Sequence, residues 1–299
     1  MIFASWRIGA ANQHPLGLVQ SHLVVFLMFI VAVGAAAWLY EIKFPTSNSS
    51  YFPHIIMGND SKRIYRINHY GHSWEEWTTK SIVGKDIYPS SMDIDPTNGT
   101  LWWTSEHRPS CMIVNQTIDC QLICKKLMVE IDSSRTENEF ETEGIIILPS
   151  GELVVLDDFE TGTIYHLTRD FLIIQKIENL HSMGMESVQG GCFDYNSNTI
   201  LVVDNTPEHH AVYRLDRKFK IIEKISLATN IIPQLHHPQD LALKNDGSWL
   251  LAAYDNDLIY HIKQHGEKVQ QLGIIDVSKI KGQRNPTGVT IYRSMWQAN

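Results

Sequence analysis

Short apolar segments alternate with turn-forming residues along most of the chain. Four stretches share one order of elements, an apolar strand, a tight turn, a second apolar strand, an acidic loop and a third strand. They are residues 90–106, 143–158, 190–205 and 239–256. The turn of each stretch, such as Pro149-Ser150-Gly151, is rich in residues that close two-stranded turns, because Pro presets φ and Gly or Asn tolerates a positive φ. Each stretch is therefore predicted to be a β-hairpin followed by a third strand.

Two independent markers of this pattern repeat with the same period. The second strands begin at Leu101, Leu153, Leu201 and Leu250. The third strands share a short motif whose second positions are Tyr65, Ile113, Tyr165, Tyr213 and Tyr260. Both sets recur about every 49 residues, with about four strands per unit and no helical periodicity, which is typical of the blades of a β-propeller.

The two ends of the repeat complete each other. Residues 285–291 have the pattern of a first strand, and the strands that should follow it occur instead at the other end, as residues 54–57 and 64–67. Pairing of these segments would leave no open edge in the ring. The sequence therefore predicts an all-β fold, a five-bladed β-propeller over residues 52–299 with closure between its N-terminal and C-terminal strands. A six-bladed propeller is the alternative.

The first 51 residues have a different character. Residues 23–40 form an unbroken apolar run at the lower limit of what spans a bilayer, with Trp38 and Tyr40 as interfacial anchors. We expect a cytoplasmic segment over residues 1–22, a transmembrane or signal-anchor helix over residues 23–40 and a linker over residues 41–51. The protein would be a single-pass membrane protein with its propeller outside the cytosol. If Ala35-Ala36-Ala37 is a cleavage site, the propeller is secreted instead.

The composition of the chain limits the classes of partner and site that it can have. The formal net charge is −8 and the basic residues are scattered, so the sequence offers no surface for nucleic acid. Four cysteines without a C-x-x-C pair give little support to a zinc or redox site. Outside the cytosol, we expect a disulfide from Cys111 to Cys120 or Cys124, with buried free thiols as the alternative. Sequons that would accept glycans in a eukaryotic secretory pathway lie at Asn48, Asn59, Asn98 and Asn115.

One face of the ring is predicted to be polar. In antiparallel blades the start of the innermost strand lies beside the end of the second strand, so both line the same face. The innermost strands begin with one polar residue per blade, namely Ser91, Glu143, Gln189, Gln239 and Thr287. The second strands end in Asn59, Asp60, Glu106, Asp157, Asp158, Asp204, Asp255 and Asp257. We expect this face to bind a protein, a small polar ligand or a divalent cation such as Ca²⁺. Alternatively, the acidic side chains only bond their own loop backbone.

The hairpins and the [IV]-Y-[HR]-[LI] strands resemble those of the NHL and YWTD-like group of propellers. Within that group, Glu143-Gly144-Ile145 followed by PSGELVVLDD is similar to the SdiA-regulated family of membrane-anchored envelope propellers. The Glu-Gly pair of this motif occurs in one blade of the present chain. The resemblance implies a propeller fold in the cell envelope, and it implies no particular chemistry.

Two functions are compatible with these patterns. The first is a non-catalytic module that binds a ligand or a protein on the polar face. The second is a metal-dependent lactonase or esterase-like hydrolase of the gluconolactonase or strictosidine-synthase-like type, in which Glu143 and Asp240 would begin the metal site. The sequence contains no H-E-x-x-H, G-x-S-x-G, G-x-G-x-x-G or P-loop motif. Binding is the favoured interpretation.

Overall fold

A computed structural model describes residues 54–292, apart from His107, Ser110, Glu208, residues 228–234, Glu267 and residues 281–284. The described strands form five four-stranded antiparallel sheets, which are the blades of a propeller. The expected cytoplasmic segment, membrane helix and linker of residues 1–51 lie outside the described residues. No helix among the residues that the structure describes is long and apolar enough to cross a membrane.

The chain enters through β1 (His54–Asn59), β2 (Arg63–Ile67) and β3 (Ser73–Thr78). Blade 1 contains β4 (Met92–Ile94), β5 (Leu101–Ser105), β6 (Met112–Gln116) and β7 (Leu122–Leu127). Blade 2 contains β8 (Thr142–Ile147), β9 (Leu153–Asp157), β10 (Thr163–Leu167) and β11 (Ile173–Glu178). Blade 3 contains β12 (Val188–Asp194), β13 (Thr199–Asp204), β14 (Ala211–Leu215) and β15 (Ile221–Ser226). Blade 4 contains β16 (Pro238–Leu243), β17 (Trp249–Ala253), β18 (Leu258–His265) and β19 (Lys268–Asp276).

Blade 5 joins the two ends of the chain. Its innermost strand is β20 (Pro286–Tyr292), which pairs with β1, and β1 pairs in turn with β2. In the register of β1 with β20, Met57 lies opposite Val289. Neighbouring innermost strands are in contact all round the ring, in the order β4, β8, β12, β16 and β20 and back to β4. The five blades and their closure are therefore confirmed.

Short helices connect some of the blades. Two are α-helical, Thr79–Val83 after β3 and Met128–Ile131 after β7. Among the described connections, two more are 3₁₀ turns, Glu137–Glu139 and Leu180–Met183. A further 3₁₀ turn, Tyr254–Asn256, lies inside blade 4 between β17 and β18.

Burial increases from the edge of each blade towards the centre. The fully described inner strands of blades 2 and 3 are buried along their length, as in β8 and β12, whereas the outermost strands such as β11 are largely exposed. Outermost strands carry Lys and Glu, as in Ile221–Ser226, and such charges protect a sheet edge from pairing with another chain. The tight hairpin between β8 and β9 turns at Gly151, whose φ of 83° is a conformation that favours glycine.

The turns between third and fourth strands direct aromatic side chains into the core. Phe171 and Phe219 occupy these turns in blades 2 and 3 with φ of 64° and 63°, which is costly for a residue with a side chain. Phe219 is buried between blades 2 and 3, and the ring of Phe171 lies 6.0 Å from that of Trp102. Packing against the neighbouring blade therefore offsets the backbone cost.

The core consists of five hydrophobic clusters, and each lies between two adjacent blades. Trp102 packs between blades 1 and 2, Trp103 between blades 5 and 1, and Trp249 between blades 3 and 4. The tyrosines of the third-strand motif belong to the same clusters, as Tyr165 does between blades 1 and 2. Because the hydrogen bonds of the strand ladders run within each sheet, this side-chain packing contributes much of the contact between one blade and the next.

The cysteines do not form the expected disulfide. All four are free, and Cys111, Cys120 and Cys192 are buried. Cys111 precedes β6 and Cys120 follows it, so a strand of five residues separates them. That strand is about 16 Å long, whereas a disulfide needs Cα atoms within about 7 Å. Cys124 lies opposite Asn115, also far from Cys111 along β6. Sequence spacing concealed this, because the cysteines are close along the chain but lie at opposite ends of one strand.

Two of the sequons are incompatible with a glycan on the folded domain. Asn59 is 0% exposed in the second strand of blade 5, and Asn115 is 7% exposed in the third strand of blade 1. Asn98 is exposed in the hairpin turn of blade 1, where its side chain accepts a hydrogen bond from the Thr100 backbone N–H at 2.9 Å. Asn48 lies outside the described residues.

Replacing Met57 with alanine tests the closure of the ring. Met57 is fully buried between blades 4 and 5. Deleting a buried methionine side chain costs about 2–5 kcal/mol, so Met57→Ala should lower the free energy of unfolding by that amount in a urea titration. Ile274→Ala, at a position 52% exposed on β19, is the control and should cost less than about 0.5 kcal/mol. Equally small losses in both variants would contradict pairing of β1 with β20.

Candidate functional site

Each innermost strand is interrupted near its start by a β-bulge. We call the face on which these strands start the upper face. In the pairings of β8, β12, β16 and β20 with their second strands, the register shifts at residues 142–144, 188–191, 238–240 and 286–288. In blade 1 both Ser90 and Ser91 pair with Thr104, through bonds of 2.9 and 3.0 Å. A bulge leaves a residue out of the ladder and re-aims its side chain.

The bulges coincide with the ring of polar residues predicted from the sequence. Glu143, Gln239 and Thr287 are the extra residues in their blades, and Gln189 shares the bulge of blade 3 with Gly190. Gln239 is half-buried. The other four residues of the ring are buried, namely Ser91, Glu143, Gln189 and Thr287. The Thr287 hydroxyl donates to the Pro89 carbonyl oxygen. The structure thus places the ring at one level of the propeller.

Glu143 is the charged residue of this ring, and it lies in a pair of carboxyl groups. It is only 5% exposed, and one oxygen accepts a hydrogen bond of 2.6 Å from the Ser90 hydroxyl. The side chain of Glu106, which follows β5, hydrogen-bonds to it. Burial raises the pKa of Glu143 well above its ordinary value, and the charge and hydrogen bond of Glu106 raise it further. Asp158 adds a smaller effect in the same direction.

We call Glu106, Glu143 and Asp158 the carboxyl cluster. Among the described residues, no lysine or arginine forms an ion pair with any of the three. The arginines near this face pair elsewhere, Arg108 with Glu141 and Arg135 with Asp157. The cluster is therefore a group of acidic side chains that no described lysine or arginine neutralises through an ion pair.

Several acidic residues of the upper face, including Asp158 of the carboxyl cluster, accept hydrogen bonds from backbone N–H groups. The Asp158 carboxylate accepts the Val188 N–H at 2.8 Å, which fixes the start of β12 in the next blade. The Asp257 carboxylate does the same for Asn285 before β20, at 2.6 Å. Asp204 accepts the Glu186 N–H at 2.9 Å. The alternative expected from the sequence was that these side chains bond their own loop backbone. Asp204 does so at Thr206, whereas Asp158 and Asp257 bond the backbone that leads into the next blade.

Asp240 occupies the centre of the ring and is 0% exposed. One carboxylate oxygen accepts the Met92 N–H at 3.1 Å and the Val289 N–H at 2.9 Å, and the other accepts the N–H of Leu241 at 2.9 Å. The Ser91 hydroxyl also bonds to Asp240. Burial raises the pKa of Asp240 well above its ordinary value, and these donors oppose that effect.

This bonding changes the role expected for Asp240. The sequence suggested that Glu143 and Asp240 would begin a metal site. Asp240 instead receives three backbone N–H groups from blades 1, 4 and 5, whereas Glu143 faces Ser90 and Glu106. Within the part of the chain that the structure describes, no group of three or more His, Cys, Asp or Glu side chains is arranged to hold a metal ion.

A cavity of about 470 Å³ lies on the opposite, lower face, and nothing in the sequence analysis indicated it. Its walls come from the hairpin of blade 1 and from the ends of β12, β16 and β20. Sequence reasoning located polar residues at strand starts, because their pattern repeats in every blade. The cavity is made by unlike residues from different blades, so no repeated pattern marks it.

Gly190 provides a test of the centre of the ring. A Cβ atom at this position would lie 2.0 Å from a carboxylate oxygen of Asp240 and 2.8 Å from the Ser91 hydroxyl. Gly190→Ala should therefore lower the free energy of unfolding by about 3 kcal/mol or more, measured by urea titration. Gly273→Ala, where a Cβ meets no atom within 4 Å, is the control and should change stability by less than about 1 kcal/mol. A Gly190→Ala protein as stable as the control would show that the centre is not closed.

The carboxyl cluster should make stability fall as the pH rises. Burial raises the pKa of Asp158 to about 7. A carboxyl group with a raised folded-state pKa stabilises the fold while protonated, and that contribution is lost as the pH passes from about 4 to the folded-state value. Carboxyl groups whose pKa is lowered by folding, such as Asp132 with a pKa of about 2, change the stability only at a lower pH than this range.

We therefore expect the urea midpoint of the wild type to fall between pH 5 and pH 8. Asp158→Asn should make the fall smaller, because asparagine does not titrate. Asp170→Asn, in an exposed turn of blade 2, removes the same charge elsewhere and serves as the control. If Asp158→Asn and wild type lose stability in parallel over this range, Asp158 does not have the raised pKa.

The chain matches no family model and no curated protein. Its resemblance to the SdiA-regulated family thus stays a prediction. Among solved structures, the chain is similar to one from a nidogen/laminin complex, with 11% identity, 80% of this chain and 98% of that chain covered, and a TM-score of 0.52. It is also similar to glutaminyl cyclase of Myxococcus xanthus, with 12% identity, coverage of 68% and 81%, and a TM-score of 0.52. At these identities the likeness supports the fold alone.

Proposed function

We propose that the chain is a non-catalytic binding module whose upper face holds a ligand with a positively charged group or several hydrogen-bond donors. The observation that carries the proposal is the paired, buried carboxyl group of Glu143. Burial and the neighbouring Glu106 disfavour its ionised form, and a bound cation relieves both effects. A ligand hydroxyl can likewise donate to the exposed side of the pair.

Binding is favoured over the lactonase-like alternative by the role of Asp240. A central hydrolytic metal would need several carboxylate and amide oxygens that point into one space. The Asp240 oxygens are used for backbone N–H groups of three strands. The related folds come from a complex of two proteins and from an enzyme, so fold alone does not decide between the functions.

The proposal includes the location of the domain. The apolar residues 23–40 would anchor it in a membrane, with the propeller outside the cytosol, as the sequence predicts. A propeller outside the cytosol would then be open to ligands from the surrounding space. The resemblance to the SdiA-regulated envelope propellers agrees with this location.

Titration of the full-length chain, in an uncharged detergent, with Ca²⁺, spermidine and a neutral disaccharide tests the function. We expect at least one probe to raise the unfolding temperature at pH 7 and to give a saturable heat of binding. A cation displaces the proton of the carboxyl pair, so its binding heat should depend on the ionisation enthalpy of the buffer. Glu106→Gln and Glu143→Gln should each weaken cation binding by about tenfold or more.

Glu160→Gln is the matched control, because it removes one charge from an exposed loop beside the same face. It should leave the affinity within about twofold of wild type. Binding that Glu160→Gln weakens as much as Glu106→Gln would indicate general charge attraction and contradict a site at the carboxyl pair. No binding of any of the three probes would also count against the proposal.

A further inference from the structure

The outermost strand of every blade contains a β-bulge at an equivalent position. In blade 2, Ile173 and Gln175 both pair with β10, and Ile174 between them has no partner in that strand. The same shift of register occurs in the other four blades. The extra residues are Ile123 in blade 1, Ile174 in blade 2, Ile222 in blade 3, Leu272 in blade 4 and Trp74 in blade 5.

Four of these extra residues have large apolar side chains that are exposed to solvent. We call Ile123, Ile174, Ile222 and Leu272 the apolar collar. They are 51%, 47%, 57% and 46% exposed, respectively. Further exposed apolar side chains lie beside the collar, namely Leu122 in blade 1 and Leu172 and Ile173 in blade 2. The collar thus recurs from blade to blade around the outside of the ring.

The collar lies towards the lower face. Third strands run from the upper to the lower face, so the turns that lead into the outermost strands are on the lower face. In blades 1, 2 and 3 the extra residue is the second residue of the outermost strand, directly after such a turn. The collar therefore surrounds the lower rim of the propeller.

Protection of the sheet edges does not explain why the collar is apolar. A bulge protects an exposed edge because it disturbs the ladder with which another strand would pair, and a polar residue in the bulge would serve equally well. Nearby exposed positions on the same strands are polar, as Gln175 and Glu178 are in blade 2 and Lys224 is in blade 3. Apolar side chains at one exposed position in four blades therefore indicate a partner other than water.

The described chain starts at the lower face. β1 is the second strand of blade 5, and second strands run from the lower to the upper face, so His54 is at the lower end of that blade. The apolar residues 23–40 come before it in the sequence, and residues 41–53 connect the two. A connection of this length reaches at most about 45 Å when fully extended. A membrane that held residues 23–40 would therefore be within reach of the lower face.

The charges of the two faces also differ. The loops that follow the second strands make the upper face acidic. On the lower face, the turn before β15 contains Arg217, Lys218 and Lys220 and a single acidic residue, Asp216. Lys218 and Lys220 are exposed, and the Asp216 carboxylate accepts their backbone N–H groups at 2.8 and 2.9 Å. Anionic lipid headgroups would repel the upper face and attract this turn.

We propose that the lower rim of the propeller docks on the surface of the membrane that anchors the chain, with the apolar collar in the interfacial layer of the lipid. The proposal rests on the membrane anchor of the proposed function. Apolar side chains in this layer leave water without a preformed pocket, and basic side chains such as Lys218 reach the lipid phosphates. Because the collar is spread over several blades, a flat and extended partner contacts more of its members than a compact protein domain does. The upper face with its carboxyl cluster then points away from the lipid.

The test uses the full-length chain reconstituted in vesicles of phosphatidylcholine and phosphatidylserine. Ile222→Cys and, on the upper face, Glu160→Cys are labelled separately with the fluorophore NBD. Labelled wild type gives the background from Cys124, which is half-buried. Doxyl-labelled lipids quench NBD fluorescence where the label lies in the lipid. We expect quenching at position 222 to be at least about threefold stronger than at position 160.

Loss of other members of the collar should weaken docking. In the chain labelled at position 222, Ile123→Ser together with Ile174→Ser should lower the quenching at least about twofold, because two apolar contacts with lipid are lost. Gln121→Ser together with Gln175→Ser changes exposed polar neighbours of the same residues and is the matched control, which should leave the quenching as it was. All four positions are exposed, so both variants should fold, and circular dichroism and thermal unfolding in an uncharged detergent check this.

The failure of docking can be told apart from the failure of the anchor. Equal quenching at positions 222 and 160, in a chain that stays in the vesicles after an alkaline carbonate wash, would overturn docking and leave the anchor standing. Release of the wild-type chain by that wash would show that residues 23–40 do not anchor it, and docking would fail with the anchor. Ligand binding at the carboxyl cluster is measured separately and is affected by neither result.

Two further results would contradict a role of the collar in lipid contact. The first is strong quenching at position 222 that Ile123→Ser together with Ile174→Ser leaves unchanged in a folded protein. The second is a dimer in uncharged detergent that the same two substitutions dissociate, which would assign the collar to contact between two copies of the chain.

Discussion

The carboxylate of Asp240 is the point at which the five blades meet. Each sheet is hydrogen-bonded internally, so the ring depends on contacts between sheets, and hydrophobic packing between blades has no directional preference. Asp240 adds direction, because it accepts N–H groups from β4 and β20 as well as from its own strand. Ser91 bonds to Asp240 and also accepts the Ile145 N–H of blade 2 at 3.3 Å. Blade 3 approaches through Gly190, where a larger residue would collide with Asp240. One buried acid thus relates all five innermost strands to one another.

The geometry around Asp240 is also related to the polar side chains that lie on the upper face. A bulge near the start of each innermost strand interrupts regular pairing and leaves one side chain out of the ladder. In blade 2 that side chain is Glu143, and the end of β5 brings Glu106 beside it. Two carboxyl groups held this close are unfavourable for folding at neutral pH. An arrangement that costs stability and is held by rigid strands is the kind from which binding sites are built.

Much of the architecture could be predicted from the sequence, because a propeller blade is a local unit. Turn residues such as Gly151 and apolar strands such as Leu153–Asp157 recur with one period, and the phase at the two ends indicated how β20 meets β1. The site was less predictable. Strand starts located Glu143 on the correct face, but bulge geometry, its pairing with Glu106 and the bonds of Asp240 depend on contacts between blades. The cysteine prediction failed for a related reason, since distance along the chain does not tell which end of a strand a residue occupies.

The upper and lower faces of this five-bladed ring are built from different parts of the blades. At the upper face, the same strand position recurs in every blade and differs from blade to blade in its polar side chain. The acidic residues there serve mainly as acceptors of backbone N–H groups, as Asp257 does for Asn285. The lower end is asymmetric, because blade 5 lacks a hairpin and blade 1 contributes residues 95–100. Asp240 is fully buried between them, so a ligand at one end has no direct contact with a ligand at the other. The two faces are therefore separated by one buried acid, and different loops surround each of them.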